Sequence, residues 1–320
     1  MTLQCAILDD YQQVALRMAD WSVLDGQVHT RIYSNPLETT EELIHNVKDC
    51  EILVIMRERT PFPAEVLEQL PKLRLLVTTG MRNASVDIEA AKRLGITVCG
   101  ARGRGAAPTE LTWALILGLT RHLVAENEAF RTGGAWQTTV GMGLYGKTLG
   151  LIGLGHIGKR MARIAQAMDM RVIAWSPNLT AERAQEAGVE ACTTLNELME
   201  QSDIVSVHMV LSERTRHLIG TEELAHMRPG AYLINTSRAG LIDQTAMIEA
   251  LQHYRIAGAG LDVFEQEPLP VDHPLRSLPN VLATPHIGYV ADDNYRSFYE
   301  DAVEDIVQFL KGEPVRVLGD

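Results

Sequence analysis

The segment Gly153-Leu154-Gly155-His156-Ile157-Gly158 follows an apolar run, Thr148 to Ile152, and opens a stretch with helical spacing. In such a loop the first glycine permits a tight turn, the second lets the backbone approach a pyrophosphate, and the third lets helix and strand pack closely. Phosphates would meet the N–H groups around Gly155, His156 and Ile157 at the helix N-terminus. A glycine turn used only for packing gives the same spacing, so it is the strand, loop and helix context that favours a dinucleotide. The acid expected about 20 residues further on, to hold the ribose hydroxyls, is absent. The next strand ends instead in Trp175-Ser176-Pro177-Asn178. Without that carboxylate a 2′-phosphate meets no repulsion, so NAD and NADP both remain open, with a tilt towards NADP and Arg183 as a cation able to reach back. Ser176 as a simple turn former fits either cofactor.

Three later segments place polar groups directly after apolar runs. Asn235-Thr236-Ser237-Arg238 follows Tyr232 to Ile234, Asp262 and Glu267 follow Ile256 to Leu261, and His286 follows Val281 to Thr284. If the runs are parallel strands, all three sets emerge at the carboxyl edge of one sheet, where open α/β proteins bind ligands.

The elements that must position these groups alternate along the whole chain. Cys5–Leu8, Ile52–Met56, Leu73–Thr78 and Thr97–Cys99 read as strands, while 40–47, 61–70 and 85–94 read as helices, with Thr40 and Ser85 as their starting caps. Gly100 to Pro108 reads as a crossover, and 109–121 as a strongly apolar helix. A second series of strands and helices then runs from Thr148 to Thr284, as expected of a doubly wound sheet. The tail, 292–312, has helical spacing and needs a surface to cover its apolar side. The fold class is therefore α/β with parallel sheets.

A chain of 320 residues with 46% hydrophobic and 22% charged residues has room for two medium domains. Its net charge of −12 argues against a nucleic-acid backbone or an anionic membrane as partner. Cys5, Cys50, Cys99 and Cys192 are scattered, as expected of reduced thiols in a cytoplasmic protein, and no Cys/His spacing fits a metal. The most lipid-like run, Leu111 to Leu119, is interrupted by Thr112 and Gly118 and is about half the length of a membrane span. No signal-peptide pattern is visible at the start of the sequence.

Taken in order, the glycine loop, Ser202-Asp203-Ile204-Val205, His208 with Thr215, Asn235-Thr236-Ser237-Arg238, Gly260-Leu261-Asp262-Val263-Phe264, Glu267-Pro268 and Pro285-His286-Ile287-Gly288 resemble the D-isomer-specific 2-hydroxyacid dehydrogenase family. The resemblance covers nearly the whole chain. It implies two Rossmann-like domains with the active cleft between them, the cofactor domain (101–289) being inserted in a discontinuous catalytic domain (1–100 and 290–320). It also implies NAD(P)-dependent, reversible reduction of a 2-keto acid to a D-2-hydroxy acid, and a homodimer. By position in the motifs, Arg238 matches the family's catalytic arginine, Glu267 its glutamate and His286 its histidine. The chemistry is coherent: a planar guanidinium can bind a carboxylate and polarise the adjacent carbonyl. His286 gives a proton to the carbonyl oxygen in reduction and takes it back in oxidation, with Glu267 orienting the imidazole and stabilising its charged form. Asp262 is matched to the acceptor of the nicotinamide amide hydrogen bond, and Asn235 to support of the Arg238 loop.

The substrate segment departs further from the family pattern. The backbone N–H groups of Gly80, Met81, Arg82 and Asn83 are placed to bind the substrate carboxylate, with Met81 and Arg82 shaping specificity. Arg57 and Arg59, after the strand 52–56, form another anion-facing edge. Tyr289 either lines a bulky pocket or packs near a hinge. Val210 and Ala239 replace the proline and glycine usual in the family. Two other accounts compete with the reductase: a non-catalytic nicotinamide-binding regulatory protein on the same scaffold, which the intact Arg238, Glu267 and His286 disfavour, and a methyltransferase.

Overall fold

The computed structural model describes residues 2–319, and the chain divides into two compact units. The first runs to Arg104 and resumes at Val290; the second is Gly105–Tyr289.

In the first unit the elements are β1 (Leu3–Ile7), α1 (Ala15–Met18), β2 (Val28–Ile32), α2 (Thr40–Val47), β3 (Ile52–Ile55), α3 (Ala64–Leu67), β4 (Leu75–Thr79), α4 (Ile88–Arg93) and β5 (Thr97–Ala101). The sheet is parallel throughout, in the order β2-β1-β3-β4-β5. Its central strands β3 and β4 are buried along their whole length, which is why they read as unbroken apolar runs without alternation. The helix caps differ from expectation. Thr39, not Thr40, accepts from the Glu42 N–H at 3.1 Å, and Asp87, not Ser85, accepts from the Ala90 N–H at 2.8 Å. The Ser85 hydroxyl instead donates to Asn83 Oδ1 at 2.7 Å, inside the preceding turn.

The second unit opens with α5 (Ala107–Thr120) and α6 (Leu123–Thr132). The wound series follows as β6 (Thr148–Ile152), α7 (His156–Ala167), β7 (Arg171–Trp175), α8 (Ala181–Glu186), β8 (Glu190–Ala191), α9 (Leu195–Gln201), β9 (Ile204–Val207), α10 (Thr221–His226), β10 (Tyr232–Asn235), α11 (Gln244–Gln252), β11 (Gly258–Leu261) and β12 (Val281–Ala283). All seven strands are parallel, in the order β12-β11-β10-β9-β6-β7-β8. The order reverses between β6 and β9, which is the switch point where such sheets open a crevice.

Helix α5, the strongly apolar helix expected at 109–121, packs inside this unit, with Trp113, Leu115, Ile116 and Leu119 in its core. By contrast α6 buries none of its residues. Finally α12 (Asp292–Leu310) returns to the first unit, where it packs against β4 and β5 and buries Phe298, Tyr299, Ala302 and Ile306. Among the described residues no helix is long and apolar enough to cross a membrane.

Candidate active site

Strand register brings the chemistry of the second unit to one edge. Ile152 pairs with Val207, Val207 with Asn235, Asn235 with Leu261, and Leu261 with Ala283. These last strand residues form one row, with neighbours about 4.8 Å apart. Whatever follows them leaves the sheet together: Gly153, His208, Thr236–Arg238, Asp262 and Thr284–His286.

The glycine loop has the geometry its residue types require. Gly153 has φ +101°, and a Cβ there would collide with the His208 carbonyl oxygen. A Cβ on Gly158 would strike the Gly153 carbonyl, so helix α7 sits directly on the turn. Gly155 is the N-cap of α7, leaving the first N–H groups of the helix directed at the loop. Beside it lies a cavity of about 370 Å³ lined by Gly153, Gly155, Ser176, Pro177, Asn178, Arg183, His208, Arg214 and Thr215. A pyrophosphate fits the bare backbone, and a ribose fits the turn after β7. Arg183 does reach back, its Nη1 donating to the Asn178 carbonyl at 3.2 Å. Arg214 was not anticipated; the loop after β9 brings it to the cavity, closed by Thr215, whose Oγ1 donates to the Val210 carbonyl at 2.8 Å and accepts from the Ser212 N–H at 2.8 Å.

His208 is a half-buried residue of this wall, its ring turned into the protein. Its Nε2 is 2.9 Å from Ser206 Oγ, while Nδ1 is sealed from solvent without a partner among the described residues. Burial pushes its pKa down to about 4, so the ring is neutral at neutral pH.

The turn after β10 is pinned residue by residue. Asn235 Nδ2 donates to the Arg238 carbonyl at 3.0 Å while its Oδ1 accepts from the Ser237 N–H at 3.0 Å, the supporting role expected of it. Ser237 Oγ donates to the Val207 carbonyl at 2.6 Å, and Arg238 Nη1 donates to the Ser237 carbonyl at 2.7 Å. Glu267 and His286 meet: Oε2 and Nδ1 are 2.6 Å apart, and Glu267 Oε1 accepts from the Phe264 N–H at 2.9 Å. His286 has a left-handed backbone, φ +53°, and Tyr289 packs edge-on against its ring with centroids 5.5 Å apart. Tyr289 is therefore buried beside the imidazole.

Asp262 is almost fully buried and holds the histidine loop: Oδ1 accepts from Thr284 Oγ1 (2.6 Å) and the Ile287 N–H (2.8 Å), and Oδ2 from the Gly288 N–H (2.8 Å). Burial raises its pKa, and the three donors pull it back. Since a carboxylate offers about four acceptor positions, roughly one remains for a ligand.

The other expected residues lie in the first unit. Gly80 has φ +136°, a turn open to glycine, and a Cβ there would be 2.9 Å from Arg57 Nη1. The Arg57 guanidinium thus lies on the Gly80 turn, and its backbone N–H donates to Thr79 Oγ1 at 3.0 Å. Asn83 spends its side chain inside the turn, Nδ2 donating to the Arg57 carbonyl (2.6 Å) and to Thr78 Oγ1 (2.8 Å), so only its backbone is available for an anion. Met81 and Arg82 are exposed. Arg59 lies over the Tyr11 ring, 4.4 Å from its centroid, and its Nη1 donates to the Asp9 carbonyl at 2.9 Å. The site residues thus fall into two sets, one in each unit.

Residues 113–288 match the D-isomer specific 2-hydroxyacid dehydrogenase NAD binding domain. The chain is 38% identical over 277 residues to a glyoxylate reductase of Korarchaeum cryptofilum, covering 85% of this chain and 83% of that one. It is 38% identical over 278 residues to a D-3-phosphoglycerate dehydrogenase of Methanocaldococcus jannaschii, covering 86% of this chain and 52% of that one. The chain therefore spans about half the length of that relative. Among solved structures, a phosphoglycerate oxidoreductase of Vibrio cholerae O395 superposes with a TM-score of 0.92 at 35% identity, over 97% of this chain and 100% of that one. With its glycine loop, its Arg, Glu and His at successive strand ends and a match over more than half its length, the chain belongs to the D-isomer-specific 2-hydroxyacid dehydrogenase family.

Proposed function

We propose that the protein reduces a small 2-keto acid to a D-2-hydroxy acid, and runs the reverse reaction, with a nicotinamide cofactor. The observation that carries this reading is the 2.6 Å contact between His286 and Glu267 on the strand edge that also bears Arg238 and the glycine loop. When bound, the nicotinamide supplies or accepts the hydride. The rest falls to the protein's own side chains. Arg238, oriented by its bond to the Ser237 carbonyl, holds the substrate carboxylate and polarises the carbonyl. With Nδ1 on Glu267, His286 keeps Nε2 for the substrate oxygen, giving up a proton in reduction and recovering it in oxidation. The remaining acceptor position of Asp262 takes the nicotinamide amide.

In the first unit the N–H groups of Gly80–Asn83 and the Arg57 guanidinium serve as anion-binding groups for the substrate, with Met81 and Arg82 shaping specificity; in the second unit Tyr289, packed beside His286, limits the bulk accepted there. Arg183 and Arg214, with no acid after β7, favour NADP over NAD. The chain acts in the cytoplasm as a homodimer. The exposed Phe130 and Trp136, whose rings lie 6.3 Å apart on and just after α6, offer the surface for it, which light scattering checks.

The test of the whole reading is a matrix of 2-keto acids, from glyoxylate, pyruvate and hydroxypyruvate to phenylpyruvate and branched acids, against NADH and NADPH, followed by absorbance. Cofactor oxidation with at least one acid supports it. Cofactor binding with no turnover across the panel overturns it in favour of a regulatory role, and a clear preference for NADH overturns the NADP assignment alone.

A further inference from the structure

The first two turns of α5 touch both catalytic loops. Thr112, fully buried, has its Oγ1 2.6 Å from the Pro108 carbonyl oxygen and 2.8 Å from Thr236 Oγ1. A carbonyl only accepts, so the single proton of the Thr112 hydroxyl goes to Pro108, and Thr236 must be the donor to Thr112. The chain of bonds therefore has one direction: Thr236 to Thr112 to Pro108. Thr236 precedes the Ser237 carbonyl on which the Arg238 guanidinium rests, and Ser237 Oγ ties the far side of that peptide to the end of β9. The same helical turn also borders the histidine loop. A Cβ on Gly288 would lie 3.7 Å from Leu111 Cδ2 and 3.9 Å from the Pro108 Cα.

We infer that Thr112 is a positioning residue: its hydroxyl, fixed as an acceptor by Pro108, holds the Thr236–Ser237 peptide where Arg238 must lie to grip the substrate carboxylate. This rests on the reductase reading, in which Arg238 binds that carboxylate. Thr112→Val keeps the shape and removes the acceptor, leaving the Thr236 hydroxyl without its partner. Thr112→Ser keeps the acceptor.

Two measurements test it. Hydrogen exchange of the amides of residues 236–238 reads the anchoring without any turnover; exchange is expected to accelerate in Thr112→Val and to return to the parent rate in Thr112→Ser. Steady-state kinetics of keto-acid reduction should show the KM for the keto acid raised on the order of tenfold in Thr112→Val, with NAD(P)H affinity unchanged and Thr112→Ser near the parent. The double variant Thr112→Val/Thr236→Val should be no worse than Thr112→Val alone, since the orphaned hydroxyl is gone.

Unchanged exchange in Thr112→Val overturns the inference, as does a serine variant as impaired as the valine one. Arg238→Lys separates the two levels. If it loses activity while Thr112→Val does not, the positioning role fails and the reductase reading stands. If Arg238→Lys is itself as active as the parent, the assignment of Arg238 fails first.

Discussion

Replacing Glu267 by glutamine probes the His286 pair most directly. The carboxylate is fixed from behind, Oε1 accepting from the Phe264 N–H at 2.9 Å while Oε2 meets His286 Nδ1 at 2.6 Å. In the variant the amide oxygen stays on the Phe264 N–H, the arrangement that keeps that donor satisfied, and the NH2 group turns to Nδ1. A neutral imidazole facing an NH2 group must accept at Nδ1, which moves its own hydrogen to Nε2. That tautomer cannot take a proton from a hydroxy acid. The protonated ring, for its part, has lost a charge-assisted acceptor worth about 1.5–3 kcal/mol, or roughly 10- to 150-fold in rate. The side chains of His286 and Glu267 are 23% and 33% exposed, and water recovers part of the loss, so reduction should fall towards the lower end of that range. Oxidation, which needs an unprotonated Nε2, should fall further. Initial rates in both directions, with cofactor affinity measured separately by fluorescence, read the effect. Rates within about twofold of the parent in both directions, or a loss explained by cofactor affinity, would refute the pairing as the source of proton transfer.

Other expectations follow from single residues. His208 has its pKa held near 4 against an ordinary 6.5, so between those values the unfolded chain binds the extra proton. Its contribution to stability is complete above pH 6.5 and is lost as pH falls towards 4, at up to about 1.4 kcal/mol per pH unit. Urea denaturation across that interval should show a flatter acid limb for His208→Gln, and parallel curves would contradict the burial argument. Asp262→Asn turns an NH2 group towards the Gly288 N–H, which loses its acceptor; destabilisation of about 1–3 kcal/mol with impaired turnover is expected, and unchanged denaturation midpoints would remove Asp262 as the anchor of the histidine loop. Gly153→Ala forces a methyl against the His208 carbonyl at a φ of +101°, so calorimetric titration should find cofactor binding lost or severely weakened, and near-parent affinity would show that the loop can move away.

What the sequence made legible was limited to groups whose partners are near in the chain or whose types are fixed by chemistry. The glycine loop could be read because a side chain at Gly153 or Gly158 would collide with backbone and Gly155 keeps the helix start bare, and Arg238, Glu267 and His286 because each follows a strand end within a motif that resembles the family's. Their convergence depended on register, which places Val207, Asn235, Leu261 and Ala283 in one row only if every crossover returns parallel. Helix α2 was found but its cap misplaced, since Thr39 and Thr40 are adjacent and either can serve; only the geometry puts the Oγ1 of Thr39 on Glu42. Strand β2 was missed because Val28–Ile32 is an edge strand of mixed polarity, and α6 because it buries nothing and so carries no apolar stripe. Thr112 shows the limit most clearly. Along the chain it is a polar interruption in an apolar helix, whereas its partner, Thr236, is 124 residues away. A hydroxyl in a packed helix satisfies itself locally on the i−4 carbonyl, and nothing in its neighbours reveals that it also accepts a second bond. Long-range acceptors of this kind can be recognised only after the fold has closed, which is why the groups proposed to meet substrate were readable from sequence while the one proposed to position them was not.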